Sequence, residues 1–249
     1  MSKTNPFADI GFEDFRRLAQ DENLSKFERI GFPDAYRKGH EEAIFADILG
    51  KLTNLDEKGK KVLDIGPGCS DLPLMLVEQC RANGHDLHLV DSSEMLAHLP
   101  DEPFIRKTAA LYPNCAEYIA ENQQSLDVIL CYSVLHYVFV DVPLFRFLDI
   151  SLSLLAPGGQ FLIGDIPNVS KRKRFFASET GARFHREFMK TTEAPVVEFN
   201  RIETDQIDDA VVFSIIQRAR NAGFDAYIVP QPPMLPMANR REDILILRP

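Results

Sequence analysis

A short apolar run that carries one carboxylate and breaks at once into a glycine-bracketed turn sets the tightest constraint on this chain. The segment reads Lys60-Lys61-Val62-Leu63-Asp64-Ile65-Gly66-Pro67-Gly68-Cys69-Ser70-Asp71. A buried parallel strand hands over to a tight turn and a helix N-terminus in this manner. A second apolar run, Leu87 to Val90, ends in Asp91. One glycine-lined turn and one acid on the next strand tip can together hold a nucleoside.

The flanking pattern predicts what surrounds that unit. Strands are expected at 61–65, 86–90, 103–107, 126–131, 159–165, 224–229 and 243–248, with helices at 71–82, 93–98, 112–122, 143–155 and 208–222. Such alternation predicts a doubly wound α/β fold, a mostly parallel seven-stranded sheet covered by helices on both faces. Only the proline-rich residues 230–236 separate the last two strands, which leaves no room for a crossover helix, so the final strand is expected to run antiparallel. Ahead of the core, residues 9–30 and about 38–52 show helical spacing of Phe12, Phe15, Leu18 and then Ile44, Phe45, Ile48. Residues 1–55 therefore read as an N-terminal helical cap and 56–249 as the core domain, with 166–207 as a lid or substrate insertion.

Charge and cysteine usage narrow the class of partner. At a net −9 the chain has no overall field to draw in nucleic acid. Cys69, Cys80, Cys115 and Cys131 are neither closely paired nor flanked by histidines, so no metal site is expected and a reducing cytoplasm is the expected setting. No apolar signal region follows Met1 to Pro6, and Asp127, His136, Asp141 and Arg146 interrupt the longest apolar zone, so no membrane span is expected. Against the acidic total, Ser170 to Lys190 carries seven Lys or Arg and two Glu, a local +5. That segment reads either as a solvated charged helix or as a lid over an anionic ligand.

Taken in order, the motifs resemble those of the class I S-adenosylmethionine-dependent methyltransferases of small-molecule type. Val62 to Gly68 is similar to the family's first cofactor motif, and Leu87 to Asp91 with Ser92 to Met95 is similar to the second. Leu126 to Val138 resembles the fourth strand with its following turn, and Leu154 to Ile163 resembles the helix, turn and strand that close the core. The similarity covers roughly 38–165, more weakly 208–249. Two positions depart from the pattern: Ser70 stands where a third glycine is common, and Lys107 to Tyr112 lacks the acid that often meets adenine.

The resemblance implies S-adenosylmethionine as cofactor and assigns roles. Asp64 would face the ammonium of the methionine part, a charge-assisted contact. Gly66 and Gly68 would admit the ligand without a Cβ collision. Asp91 would accept from the ribose hydroxyls, with Ser92 beside it, while Met95 packs on adenine and backbone at Ala110 replaces the missing acid. Backbone near Cys131 would lie against the sulfonium, and Tyr36, Arg37 and His40 could reach the cofactor's carboxylate. His136, Asp165 and Tyr132 are the candidate catalytic groups, His136 and Asp165 as bases. Arg172, Arg174 and Arg186 are the candidate acceptor-binding groups for a small, anionic or sugar-type molecule, and the N-terminal helices could form a homodimer contact.

Two rival readings remain at this point. A nicotinamide-dependent oxidoreductase shares the turn and the acid, but Asp71 occupies its third fingerprint position and would repel a pyrophosphate. A cofactor-binding protein without transfer activity would keep Asp64, Gly66, Gly68 and Asp91 unchanged.

Overall fold

The computed structural model describes residues 10–201 and 203–249; the polar N-terminal segment 1–9 and residue 202 lie outside the described residues. Four short helices come first: α1 (Phe12–Gln20), α2 (Lys26–Arg29), α3 (Asp34–Arg37) and α4 (Glu41–Lys51). Ser25 and Glu28 cap α2 reciprocally, each side chain accepting the other's backbone N–H. Helix α1 is tied to the core by Arg16, whose guanidinium donates to both carboxylate oxygens of Glu94.

The core then alternates: β1 (Lys61–Ile65), α5 (Asp71–Asn83), β2 (Asp86–Asp91), α6 (Ser93–Leu96), β3 (Ile105–Ala109), α7 (Ala116–Glu121), β4 (Leu126–Tyr132), α8 (Leu135–Asp141), α9 (Leu144–Leu154) and β5 (Leu155–Pro167). After α10 (Val169–Phe176) and α11 (Glu179–Met189) the chain finishes with α12 (Asp209–Asn221), β6 (Asp225–Val229) and β7 (Arg241–Leu247). The sheet order is β3-β2-β1-β4-β5-β7-β6, with β7 antiparallel to both neighbours and the other strands parallel to one another. This is the doubly wound fold that the strand–helix alternation predicts.

Alternation along β1 divides the core in two. Val62 packs with Ile44, Ile48, Leu76 and Val77 on one face. Leu63 and Ile65 join Phe147, Leu148, Val212 and Ile215 on the other. Each such fully buried aliphatic side chain contributes about 1.5–3 kcal/mol, so both helical layers are held mainly by apolar burial.

Several boundaries differ from the sequence expectation for local reasons. Strand β3 starts at Ile105 because Pro103, which has no N–H to pair, precedes it. Pro113 likewise pushes the start of α7 to Ala116. Residues 135–141, expected as a turn after the fourth strand, form helix α8. The basic insertion is two helices, each capped by a polar side chain: Asn168 accepts from Lys171 N–H and Ser178 from Gly181 N–H. None of the described helices is long and apolar enough to cross a membrane.

One buried ion pair anchors the antiparallel end of the sheet to the cap. Lys51 at the end of α4 donates to Asp243 of β7 at 2.7 Å, and the Asp243 side chain is 0% exposed. Asp243 also accepts the backbone N–H of Asp165 and the side-chain amide of Gln231. Replacing Lys51 by Met would strand that carboxylate without its cation. Urea unfolding of Lys51→Met should show a loss of about 3–5 kcal/mol; a loss below about 1 kcal/mol would mean that the pair does not anchor this edge.

Candidate functional site

The C-terminal tips of β1, β2 and β4 meet at one cleft. Gly66 and Gly68 turn the chain there with φ of +70° and +66°, a backbone region that disfavours side chains. A Cβ on Gly66 would stand 2.7 Å from Val134 Cγ2, and one on Gly68 would stand 2.7 Å from Ile30 Cγ2. The turn is tied to the neighbouring strand by Asp91, which accepts from Gly68 N–H at 3.0 Å and from Ser92 N–H at 2.6 Å. Met95, Ala110 and Leu111 form an apolar wall, and Phe12, Phe15, Ile30 and Phe32 from the cap face it. The cleft and the open space at its mouth together amount to about 880 Å³.

Two carboxylates in unfavourable electrostatic surroundings flank the glycine turn: Asp91, which lines the cleft, and Asp64, which lies just before the turn and outside the cleft lining. Asp64 is 4% exposed and accepts no hydrogen bond among the described residues. Burial raises its pKa to about 8, and the nearby Asp91 charge adds to the effect. Burial also raises Asp91 to about 6, against the pull of its two amide donors. A buried acid with no protein donor is a place for a ligand's cation.

Arg37 supplies the opposite charge at the same cleft. It is 4% exposed, donates to Ser133 Oγ at 2.6 Å, and lies over the rings of Phe32 and Tyr132. Ser133 in turn donates to Asp165, which also faces Arg241 Nε at 3.8 Å. Ser133 and Asp165 have φ of +61° and +55°. Non-glycine residues hold such angles only where surrounding contacts over-determine them.

A second cavity opens beyond α8. His136, Asn168, Arg172, Arg240 and Arg241 line it, and Tyr137 and Asp141 line both this cavity and the first cleft. Burial, reinforced by the Arg241 charge, lowers the pKa of His136 to about 3, and its Nδ1 has no partner. The imidazole is therefore neutral near pH 7 and a poor proton acceptor.

The structure distributes the sequence candidates unevenly. Gly66, Gly68, Asp91, Met95, Ala110 and Tyr132 all line the first cleft, and Arg37 joins them. Ser92 caps α6 by accepting from Met95 N–H at 3.2 Å, so its hydroxyl serves the fold. Cys131 is in the apolar core, since strand alternation turns it away from the side that Tyr132 takes. Asp165 is 5% exposed and lines neither cavity; its hydrogen bonds make it a support for Ser133 and Arg37. Of the three insertion arginines, Arg172 lines the second cavity, Arg174 pairs with Asp209, and Arg186 lies on the exposed face of α11. Sequence reasoning missed Asp141, Arg240 and Arg241; the Arg240-Arg241 pair was visible, but nothing local placed it over the tip of β5.

The raised carboxyls make the stability of the fold depend on pH. Their folded pKa values, about 8 and about 6, lie above the unfolded aspartate value. The folded state thus binds these protons more tightly, and the associated stability is complete below pH ~3.9 and lost as pH rises through the folded values. The melting temperature of Asp64→Asn should fall less than that of the parent between about pH 5 and about pH 8.5. Equal slopes would show that Asp64 ionises freely.

Comparison with known proteins agrees with this geometry. A family model described as a methyltransferase domain matches residues 36–194. No curated protein matches the sequence. Among solved structures, the CurJ carbon methyltransferase is 15% identical and superposes with a TM-score of 0.56 over 95% of this chain and 67% of its own. The N-methyltransferase NodS from Bradyrhizobium japonicum WM9, solved with S-adenosyl-L-homocysteine, is 13% identical with a TM-score of 0.54, covering 97% of this chain and 100% of its own. A putative S-adenosyl-L-methionine-dependent methyltransferase from Methanococcus maripaludis is 18% identical with a TM-score of 0.51, covering 92% and 96%. At these identities the three structures establish the shared fold, and the family match establishes membership. The chain belongs to the methyltransferase-domain family.

Proposed function

We propose that this enzyme methylates a small anionic acceptor held in the cavity beyond α8. The observation that carries the reading is the shared wall: Tyr137 and Asp141 border both the donor cleft and a cavity edged by Arg172, Arg240 and Arg241. An acceptor anion seated among those arginines would present its nucleophilic atom to the donor cleft across that wall.

When bound, the donor supplies an electrophilic methyl group on a sulfonium. The chain's residues then have three tasks. Asp64 meets a cation, Arg37 meets a carboxylate, and Asp91 meets a diol, which together fix the donor's long axis. The phenylalanines of the cap exclude water from the cleft. The arginines of the second cavity orient the acceptor; alignment of this kind contributes roughly 7–11 kcal/mol.

Proton removal, where the acceptor requires it, falls to Asp141. His136 is held too weakly basic, with its pKa lowered to about 3, and Asp165 is committed to Ser133. Asp141 is the carboxylate that lines both cavities. Neutral His136 instead offers a hydrogen bond to the acceptor.

Binding of benzoate and inorganic sulfate, titrated in the presence of S-adenosylhomocysteine, tests this reading. Arg172→Gln and Arg240→Gln should each weaken binding about tenfold, as loss of a charge-assisted contact does. Arg174→Gln and Arg186→Gln should leave it unchanged. Equal effects from all four variants, or no anion binding at all, would remove the anionic acceptor while leaving the family assignment intact.

A further inference from the structure

A third cavity lies on the far side of Arg240, bordered by Tyr36, Phe184, Phe188, Gln231 and Met237. Arg240 lines both this cavity and the acceptor cavity, so the two lie on either side of one side chain. The guanidinium groups of Arg172 and Arg240 both lie over the ring of Phe176, 6.0 and 5.9 Å from its centroid. That contact keeps both charges at the junction.

The walls of the third cavity are aromatic and partly wet. Phe184 and Phe188 stack at 5.7 Å with their planes 10° apart, and Tyr36 stacks on Phe188 at 6.5 Å. Phe188 is 57% exposed, and neighbouring Met189 is 58% exposed, although both lie on an ordered helix. Rings held parallel yet left open to solvent are a platform for another ring. The platform also contains one unmet polar group. Gln231 donates its amide to Asp243 Oδ1 at 2.9 Å, which fixes the amide's orientation, and its Oε1 has no donor. A buried carbonyl oxygen without a donor costs free energy until something supplies one.

We propose that the acceptor is amphipathic, with its anionic group between Arg172 and Arg240 and an aromatic ring bearing an N–H or O–H donor on the Tyr36–Phe184–Phe188 platform. This rests on the anionic-acceptor reading and extends it to an arylalkanoate-like class. The basic helix α10 grips the charge, and the aromatic face of α11 selects the ring. In this way the two-helix insertion reads both ends of one molecule.

The test uses the full chain saturated with S-adenosylhomocysteine and calorimetric titration of ω-phenylalkanoates with chains of two to eight methylenes, each against its unsubstituted alkanoate. One chain length should bind about tenfold more tightly than its ring-free counterpart, and its 4-hydroxyphenyl form more tightly again. Phe188→Ala, at a largely exposed position, should erase the advantage of the ring without changing alkanoate affinity; Phe184→Ala should also erase the advantage of the ring. Equal affinity for phenyl and ring-free probes at every length would overturn the aromatic platform while leaving the anionic cavity standing. Loss of all anion binding would overturn both. A ring advantage that survives Phe188→Ala and Phe184→Ala would assign the ring to a different surface and also refute the proposal.

Discussion

Everything in the site follows from the turn between β1 and α5 and the carboxylate that ties it down. Two positive-φ glycines let the chain pass under the cap without side chains, and Asp91 fastens the second of them to the tip of β2. The tie is made between an anion and two amide donors, the stronger type of hydrogen bond. It fixes the distance between two neighbouring strand tips, which is the dimension a nucleoside must fit. Because the surroundings are largely apolar, each charge here interacts more strongly than in water. That raises the cost of leaving Asp64 unpaired and raises the gain when a cation arrives.

The second layer of the design is a chain of polar groups behind the cleft. Arg37, Ser133, Asp165 and Arg241 are linked in sequence, and Asp243 with Lys51 holds the backbone of Asp165. These contacts keep Ser133 and Asp165 in their unfavourable backbone angles. They also connect the first cleft, which Arg37 lines, to the cavity beyond α8, which Arg241 lines. Asp165 thus acts through its neighbours, which is why a carboxylate at a strand tip has no cavity of its own.

How much the sequence reveals depends on how local each feature is. The glycine turn, Asp64, Asp91 and the sheet alternation are properties of short stretches, and the antiparallel last strand follows from the short proline-rich link before it. Arg37 was within reach because it lies just ahead of the first strand. The arginines of the second cavity are less legible. Arg172 was singled out by the basic run, but Arg174 is taken by Asp209, an ion pair between residues far apart in the chain. Arg240 and Arg241 reach the site only because β7 returns antiparallel beside β5. Alternation along β4 sends the Cys131 side chain into the core opposite Tyr132, so only its backbone is left to face the cleft. The rival nicotinamide reading loses ground in the same way: Asp71 begins α5 and pairs with Lys26 of the cap, leaving no anion-binding helix start.

The central claim is that Asp91 and Asp64 hold the two ends of one donor across the glycine turn. Calorimetric titration of S-adenosylhomocysteine into the parent, Asp91→Asn and Asp64→Asn, with circular dichroism to confirm the fold, tests it most directly. The parent should bind, and each variant should bind at least about tenfold more weakly, one charge-assisted contact being worth about that much. Undiminished affinity in both folded variants would contradict the account.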